Sequence, residues 1–195
     1  MKYLYIILLV LPLMGFGQSW EQVYGDFNNH WGRSVQQTTD GGYIITGKLG
    51  TNTSETSNVY LIKTNEMGNE EWFQSLNVTV YDYGLSVKQT IDGGYIITGY
   101  TRVSVTGQED DIFLIKTDQN GNEEWSQILG GLENDIGRSV QQTLDGGFII
   151  TGDINSFGTD GDICLIKTDQ NGNEEWSQLF GGNGYEGHSV QQTSD

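Results

Sequence analysis

One tetrapeptide recurs along this chain at nearly constant intervals. Ser34-Val35-Gln36-Gln37 returns as Ser86-Val87-Lys88-Gln89, Ser139-Val140-Gln141-Gln142 and Ser189-Val190-Gln191-Gln192, at spacings of 52, 53 and 50 residues. The first three copies are followed by Asp-Gly-Gly, an aromatic residue and Ile-Ile-Thr-Gly, at Asp40 to Gly47, Asp92 to Gly99 and Asp145 to Gly152. Leu114 to Gln127 is identical to Leu165 to Gln178. Trp20, Trp72, Trp125 and Trp176 stand 14, 14, 14 and 13 residues ahead of the next repeated serine. A period of this length means one supersecondary unit copied along the chain, each copy burying its apolar surface against its neighbours.

Each unit reads as four short strands, here called a to d. Strand a is Ser34 to Thr38 in the first unit. A turn at Asp40-Gly41-Gly42 follows, where glycine supplies the backbone freedom of a hairpin. Strand b is Tyr43 to Gly47, strand c is Val59 to Thr64, and strand d is Glu71 to Leu76. In the second unit strands c and d are joined at Asn120-Gly121-Asn122, another hairpin signal. No segment shows helical periodicity over ten or more residues. The c strands are continuous apolar runs: Val59-Tyr60-Leu61-Ile62, Ile112-Phe113-Leu114-Ile115 and Ile163-Cys164-Leu165-Ile166. A strand without a polar side is buried on both faces.

Four-stranded antiparallel sheets, covered on both faces and repeating at this period, describe the blades of a β-propeller. The expected fold is therefore all-β, with blades at about 33–77, 85–130 and 138–181. A β-trefoil also has three four-stranded units, but the ends argue against it. A lone strand d is expected at 20–25 and a partial blade at 188–195. Propellers use about four to eight blades, so the expectation is a fragment of a longer propeller, needing the rest of its own chain to close. The DGGYIITG and LIKTDQNGNEEW segments resemble the repeats of secreted bacterial β-propeller proteins of the Bacteroidota type, and the resemblance covers nearly all of the chain after Gln18. LIKTDQNGNEEW is also similar to the strand-turn-strand of quinoprotein-like propellers, whose tryptophan docks between neighbouring blades. That resemblance implies inter-blade packing for Trp72, Trp125 and Trp176, and, in the first group, export by type IX secretion.

The first residues, MKYLYIILLVLPLMGFGQ, have one basic residue, Lys2, then an apolar run from Leu4 to Met14, with Gly15 and Gly17 ahead of Gln18. This is the pattern of a secretory signal peptide over residues 1–17. The apolar run is interrupted by Pro12 and falls short of the roughly 20 residues that span a bilayer. A secreted or cell-surface protein without a membrane span is expected. Nine Lys and Arg against 26 Asp and Glu give a net charge of −17, which repels nucleic acid and anionic lipid. A single cysteine, Cys164, excludes an internal disulfide and a cysteine-built zinc site. It aligns with Tyr60 and Phe113, so it reads as a core side chain.

Residues present in every unit hold the unit together; unmatched residues are the candidates for ligand contact. Gly42, Gly94 and Gly147, and the four repeated tryptophans, belong to the first class. So do the Glu pairs Glu70-Glu71, Glu123-Glu124 and Glu174-Glu175, which makes them poor candidates for a hydrolase carboxylate pair. No GxSxG elbow is present, nor the adjacent cysteines that a quinoprotein dehydrogenase resemblance would require. The b–c and d–a loops share one end of each sheet and vary in length, which is where binding residues are carried on rigid scaffolds. There His30 and Trp31 replace Asp82-Tyr83, Asp135-Ile136 and Tyr185-Glu186, and Tyr81 and His188 are also unmatched. Aromatics beside carboxylates suit a glycan; the other reading is aromatic cover over sheet edges. The acidic b–c loops, with Asp110, Asp111, Asp160 and Asp162, suit either calcium or plain solvation and strand capping. Asp118-Gln119-Asn120-Gly121-Asn122 lacks the order of a calcium loop and reads as a turn. No catalytic residue, metal or cofactor is assigned. The expected role is a binding module or scaffold for an extracellular glycan or protein. Its alternatives are a polysaccharide-active enzyme with its catalytic residues elsewhere in a longer chain, and a structural repeat of an adhesin.

Overall fold

A computed structural model describes residues 21–24, 30–50, 56–102, 109–131, 133–155, 161–181 and 186–193. The proposed signal segment, Trp20, Asp160 and Tyr185 lie outside the described residues. Among those described there is no helix, and none long and apolar enough to cross a membrane. The fold is all-β. Among the described residues twelve strands form three consecutive antiparallel meanders. The first sheet holds β1 (His30–Gln37), β2 (Tyr43–Gly50), β3 (Ser57–Thr64) and β4 (Glu70–Leu76). The second holds β5 (Tyr81–Gln89), β6 (Tyr95–Arg102), β7 (Asp111–Thr117) and β8 (Glu123–Leu129). The third holds β9 (Asp135–Gln142), β10 (Phe148–Ile154), β11 (Asp162–Thr168) and β12 (Glu174–Gly181). One parallel bridge, Ser57 to Tyr81, ties the first sheet to the second. Among the described residues no sheet closes on itself.

The first strand of each sheet, here called the inner strand because these strands lie side by side from one sheet to the next, begins earlier than its hydrophobic pattern indicates. β1 starts at His30 and β5 at Tyr81, because pairing continues through an irregularity between Gly32 and Ser34, and between Gly84 and Ser86. A bulge of this kind adds a residue without ending the ladder. Residues 21–24 carry no strand pairing, unlike the lone strand expected there. Residues 186–193 form no backbone ladder either, yet they sit against the third sheet as β9 sits against the second. A Cβ on Gly137 would fall 2.4 Å from Thr98 Oγ1 and 2.9 Å from Ile112 Cγ2; one on Gly187 would fall 2.6 Å from Thr151 Oγ1 and 2.9 Å from Ile163 Cγ2. Only glycine lets the inner segment come this close.

Packing runs from one face of each sheet to the opposite face of the next. Ile44, Val59, Leu61 and Leu76 of the first sheet share a core with Val87, Tyr95, Ile97, Phe113 and Ile115 of the second. From the other face of the second sheet, Ile96, Ile112 and Leu114 share a core with Val140, Phe148, Ile150 and Cys164 of the third. Alternate residues of β7 thus serve two cores, and all four of Ile112 to Ile115 are fully buried. Trp72 meets Tyr95 edge-on at 5.8 Å between ring centroids, and Trp125 meets Phe148 in the same way at the same distance. Among the described residues no ring covers Trp176 in this way; it is 44% exposed, and Phe180, four residues further along β12, is 51% exposed.

Inside each sheet a buried lysine ties the a–b turn to the c–d hairpin. Lys63 lies 2.8 Å from Asp40 and 2.9 Å from Glu71, and donates to the Thr64 carbonyl at 2.8 Å. Lys116 does the same with Asp92 and Glu124, and Lys167 with Asp145 and Glu175. Burying an ammonium this way is tolerable because its donors are met by carboxylates and a carbonyl. The second glycine of each Asp-Gly-Gly turn makes room: a Cβ on Gly42 would lie 2.0 Å from the Thr64 carbonyl oxygen and 2.7 Å from Lys63 Nζ. The first glycine, Gly41, takes the positive φ of 87°.

Two predictions follow from this packing. Trp125→Ala is expected to lower unfolding stability by about 3 kcal/mol, the cost of emptying an aromatic packing site, while Trp176→Ala costs under about 1 kcal/mol; urea titrations followed by circular dichroism measure both. Acid should also loosen the turns. Lys63 and Thr38 hold the Asp40 carboxyl down at about 2, and Thr143 and Lys167 hold Asp145 at about 2. A depressed carboxyl contributes fully above its unfolded pKa of about 3.9 and loses that contribution as pH falls. Tm should therefore fall between pH 4 and pH 2, less steeply in Asp40→Asn than in the parent chain.

Candidate functional site

The antiparallel register places the b–c and d–a connections at one end of the sheets. At the junction of the first two sheets this end carries a cluster that, among the described residues, has no counterpart at the next junction. Trp31 on β1, 55% exposed, packs edge-on against Tyr83 of β5, with ring centroids 6.4 Å apart. Lys48, at the end of β2, hydrogen-bonds the Tyr81 hydroxyl and lies 4.0 Å from that ring's centroid. It is 5.7 Å from the ring centroids of both Trp31 and Tyr83. Arg33 sits 5.0 Å from the centre of Tyr83 and donates through Nε to its hydroxyl at 2.7 Å. Arg102 lies 5.5 Å from the centre of Tyr81 and is fixed by Asp110 at 2.7 Å. Three of the chain's nine basic side chains thus converge on tyrosine and tryptophan faces, where each cation gains by its position over a ring quadrupole.

Tyr83 forms the floor of this cluster, only 4% exposed, against Tyr100 at 5.3 Å. Burial, with Tyr81 and Asp110 nearby, pushes the Tyr100 hydroxyl up to about 12. Trp31 and Tyr81 form the rim. His30 turns away and meets Tyr60 edge-on at 6.4 Å. The sequence expectation therefore comes together for Trp31, Tyr81, Tyr83 and Asp110, whereas His30 belongs to a neighbouring aromatic contact. His188 is remote, paired with Glu186 at 3.2 Å, and Glu186 in turn reaches Arg138 at 3.3 Å. At the second junction Arg138 is held by Asp153 at 2.6 Å, and Ile136 stands where Tyr83 stands at the first.

The acidic loop residues divide by environment. Asp110 is neutralised by Arg102. Asp111 faces Asp135 across Gly130, whose added Cβ would lie 2.7 Å from one carboxylate and 2.8 Å from the other. Burial first, then Asp135, Glu109 and Asp110, raises the Asp111 carboxyl above its usual range. Asp162 is 4% exposed, and among the described residues its Oδ1 meets no hydrogen-bond donor. No group of three or more potential ligands suited to a metal ion occurs among the described residues. Asp118, in the stretch that superficially resembles a calcium loop, spends its carboxylate on its own turn, accepting from the Asn120 and Asn122 main-chain N–H groups at 2.8 and 2.9 Å.

A second feature lies along the inner strands, where the repeated Ser-Val-Gln-Gln carries a function that its spacing alone does not reveal. The Ser34 hydroxyl accepts the Val87 N–H at 3.3 Å, Ser86 accepts that of Val140 at 3.4 Å, and Ser139 accepts that of Val190 at 3.3 Å. The first glutamine accepts from the next strand: Gln36 from the Gln89 N–H at 2.8 Å, and Gln141 from the Gln192 N–H at 3.2 Å. The second glutamine clasps the preceding turn, Gln89 accepting from Thr39, Gln142 from Ile91 and Gln192 from Leu144. These strands border a cavity of about 630 Å³ lined by Gln36, Lys88, Gln141 and Gln191 and, at the a–b turn end, Thr39 and Ile91. The one sequence signal for this cavity was Lys88, the single departure from glutamine at its repeat position.

Cys164 is fully buried, and burial pushes its thiol up to about 12. It should resist iodoacetamide at pH 8 in the folded chain and react only in denaturant, as mass spectrometry of the alkylated protein would show. The chain matches no known protein-family model, and no curated protein is recognisably similar in sequence.

Proposed function

We propose that this chain is a non-enzymatic binding module built on β-propeller blades and exported from the cell, and that it engages a glycan through the aromatic and cationic end of its first two sheets. The observation that carries the reading is the exposed face of Trp31, braced from beneath by Tyr83 and bordered by Lys48. A flat indole at a sheet end offers an apolar surface to a pyranose ring, and the flanking donors can meet its hydroxyls. Among the described residues the cluster is confined to one junction while the rest of the repeat is nearly uniform, which suits a ligand contact better than a structural need. The propeller reading is supported by the side-by-side inner strands, the face-to-face succession of four-stranded sheets, and the fit of residues 186–193 against the third sheet. Export rests on the composition of residues 1–17 and on the resemblance carried by the repeats.

A structural repeat within an adhesin is the second reading. The exposed apolar faces around Trp176 and Phe180 favour it, since they match the surfaces that pack at the internal junctions. A glycan array probed with the purified chain separates the two readings. The binding reading expects saturable binding to a defined set of glycans, weakened about tenfold or more by Trp31→Ala with unchanged circular dichroism. Indifference of every captured glycan to Trp31→Ala, or no capture at all, would leave the structural reading standing.

A further inference from the structure

We propose that the inner-strand cavity is an oxyanion site, taking a carboxylate or sulfate group of a ligand on Lys88 and the main-chain N–H of Gln142. The cavity reaches the a–b turn end, opposite the aromatic cluster, so the site stands independently of the glycan reading.

The lining is rich in hydrogen-bond donors. The oxygen is the only acceptor of a carboxamide, so the bonds from the Gln89 and Gln192 main-chain N–H groups fix the Gln36 and Gln141 carboxamides with their oxygens engaged. Their NH₂ groups remain as donors along the cavity. At the middle junction the pattern changes. Gln142 occupies the position of Gln89 and Gln192, but the residue before it in the inner-strand series is Lys88, which has no acceptor atom to offer. The ammonium and the Gln142 N–H therefore come together as donors where the other two junctions have a donor and an acceptor.

Lys88 also differs from every other described cation. The three buried lysines, Arg102 and Arg138 are held by carboxylates, and Arg33 and Lys48 by tyrosines. Among the described residues Lys88 has neither kind of partner, although the chain carries 26 acidic residues. An oxyanion placed between Lys88 and Gln142 supplies two acceptor oxygens and the opposite charge, making charge-assisted hydrogen bonds in a half-enclosed cavity. Neighbouring Gln36 and Gln141 then present neutral donors to the same ligand without adding repulsion.

The test is an amide-resolved NMR titration of the full chain with galacturonate, galactose 6-sulfate and galactose. Saturable shifts of the Gln142 amide with either acidic sugar, and none with galactose, are expected, and the sugar that acts identifies the oxyanion. Lys88→Gln restores the repeat. It should weaken binding about tenfold or more, the loss of a charge-assisted bond, and raise Tm, because the new carboxamide accepts the Gln142 N–H. Lys88→Arg should retain binding. Equal shifts with galactose, no shift with either acid, or unchanged affinity in a folded Lys88→Gln variant would each overturn the assignment.

Discussion

Two-sided burial of the third strand in each unit governs the rest of the molecule. A strand such as β7, apolar at four successive positions, exposes hydrocarbon on one side of any single sheet. It is stable only where a second layer covers that side. The chain meets this demand by repetition: the face that one sheet presents through Ile112 and Leu114 is the face that the preceding sheet presents through Val59 and Leu61. The apolar runs therefore require a succession of sheets, and the succession requires the close, glycine-lined approach of the inner strands.

The polar parts of the repeat serve the same packing. A lysine among leucines would oppose burial if it stood alone, yet Lys63, Lys116 and Lys167 each sit between two carboxylates at the sheet end. Each closes a turn and a hairpin together, so the ends of the sheets are fastened where loops would otherwise fray. Along the inner edge, serine and glutamine side chains receive the outward N–H groups of the next strand. Side chains thus stand in for the backbone ladder that would link the sheets, and the sheets keep their face-to-face stacking. The acid composition is compatible with all of this because most of the carboxylates either serve turns or lie at the surface.

Much of the architecture was legible in the amino-acid sequence because period and polarity are direct consequences of burial. The continuous apolar runs imply coverage on both faces of β7, and the recurrence of the Glu pairs marks them as structural, the second member of each pair meeting a buried lysine. Other features needed three dimensions. That Tyr83 lies beneath Trp31 while Tyr81 stands at the rim depends on the offset between two sheets, which no local pattern encodes. His30 was grouped with Trp31 by adjacency, but alternate residues of a strand face opposite sides, so its ring went to Tyr60. The glutamine pairs recur with the repeat, but nothing local in the sequence marks what they bond. Their role depends on the neighbouring repeat approaching within hydrogen-bonding reach, and only the substitution by Lys88 hinted that the position mattered.

The unequal covering of the three sheets has a consequence for how the molecule breathes. Cohesion between sheets acts only between nearest neighbours, so opening is governed by how many neighbours a sheet has. The first sheet can loosen while giving up its contacts with one other sheet, and the third gives up one sheet together with the short segment 186–193, whereas the central one cannot open without losing two full sheets. Deuterium should accordingly enter the amides of β12 and β1 soonest and those of β6 and β7 last, a gradient set by position in the stack even though the repeated segments are nearly the same in composition.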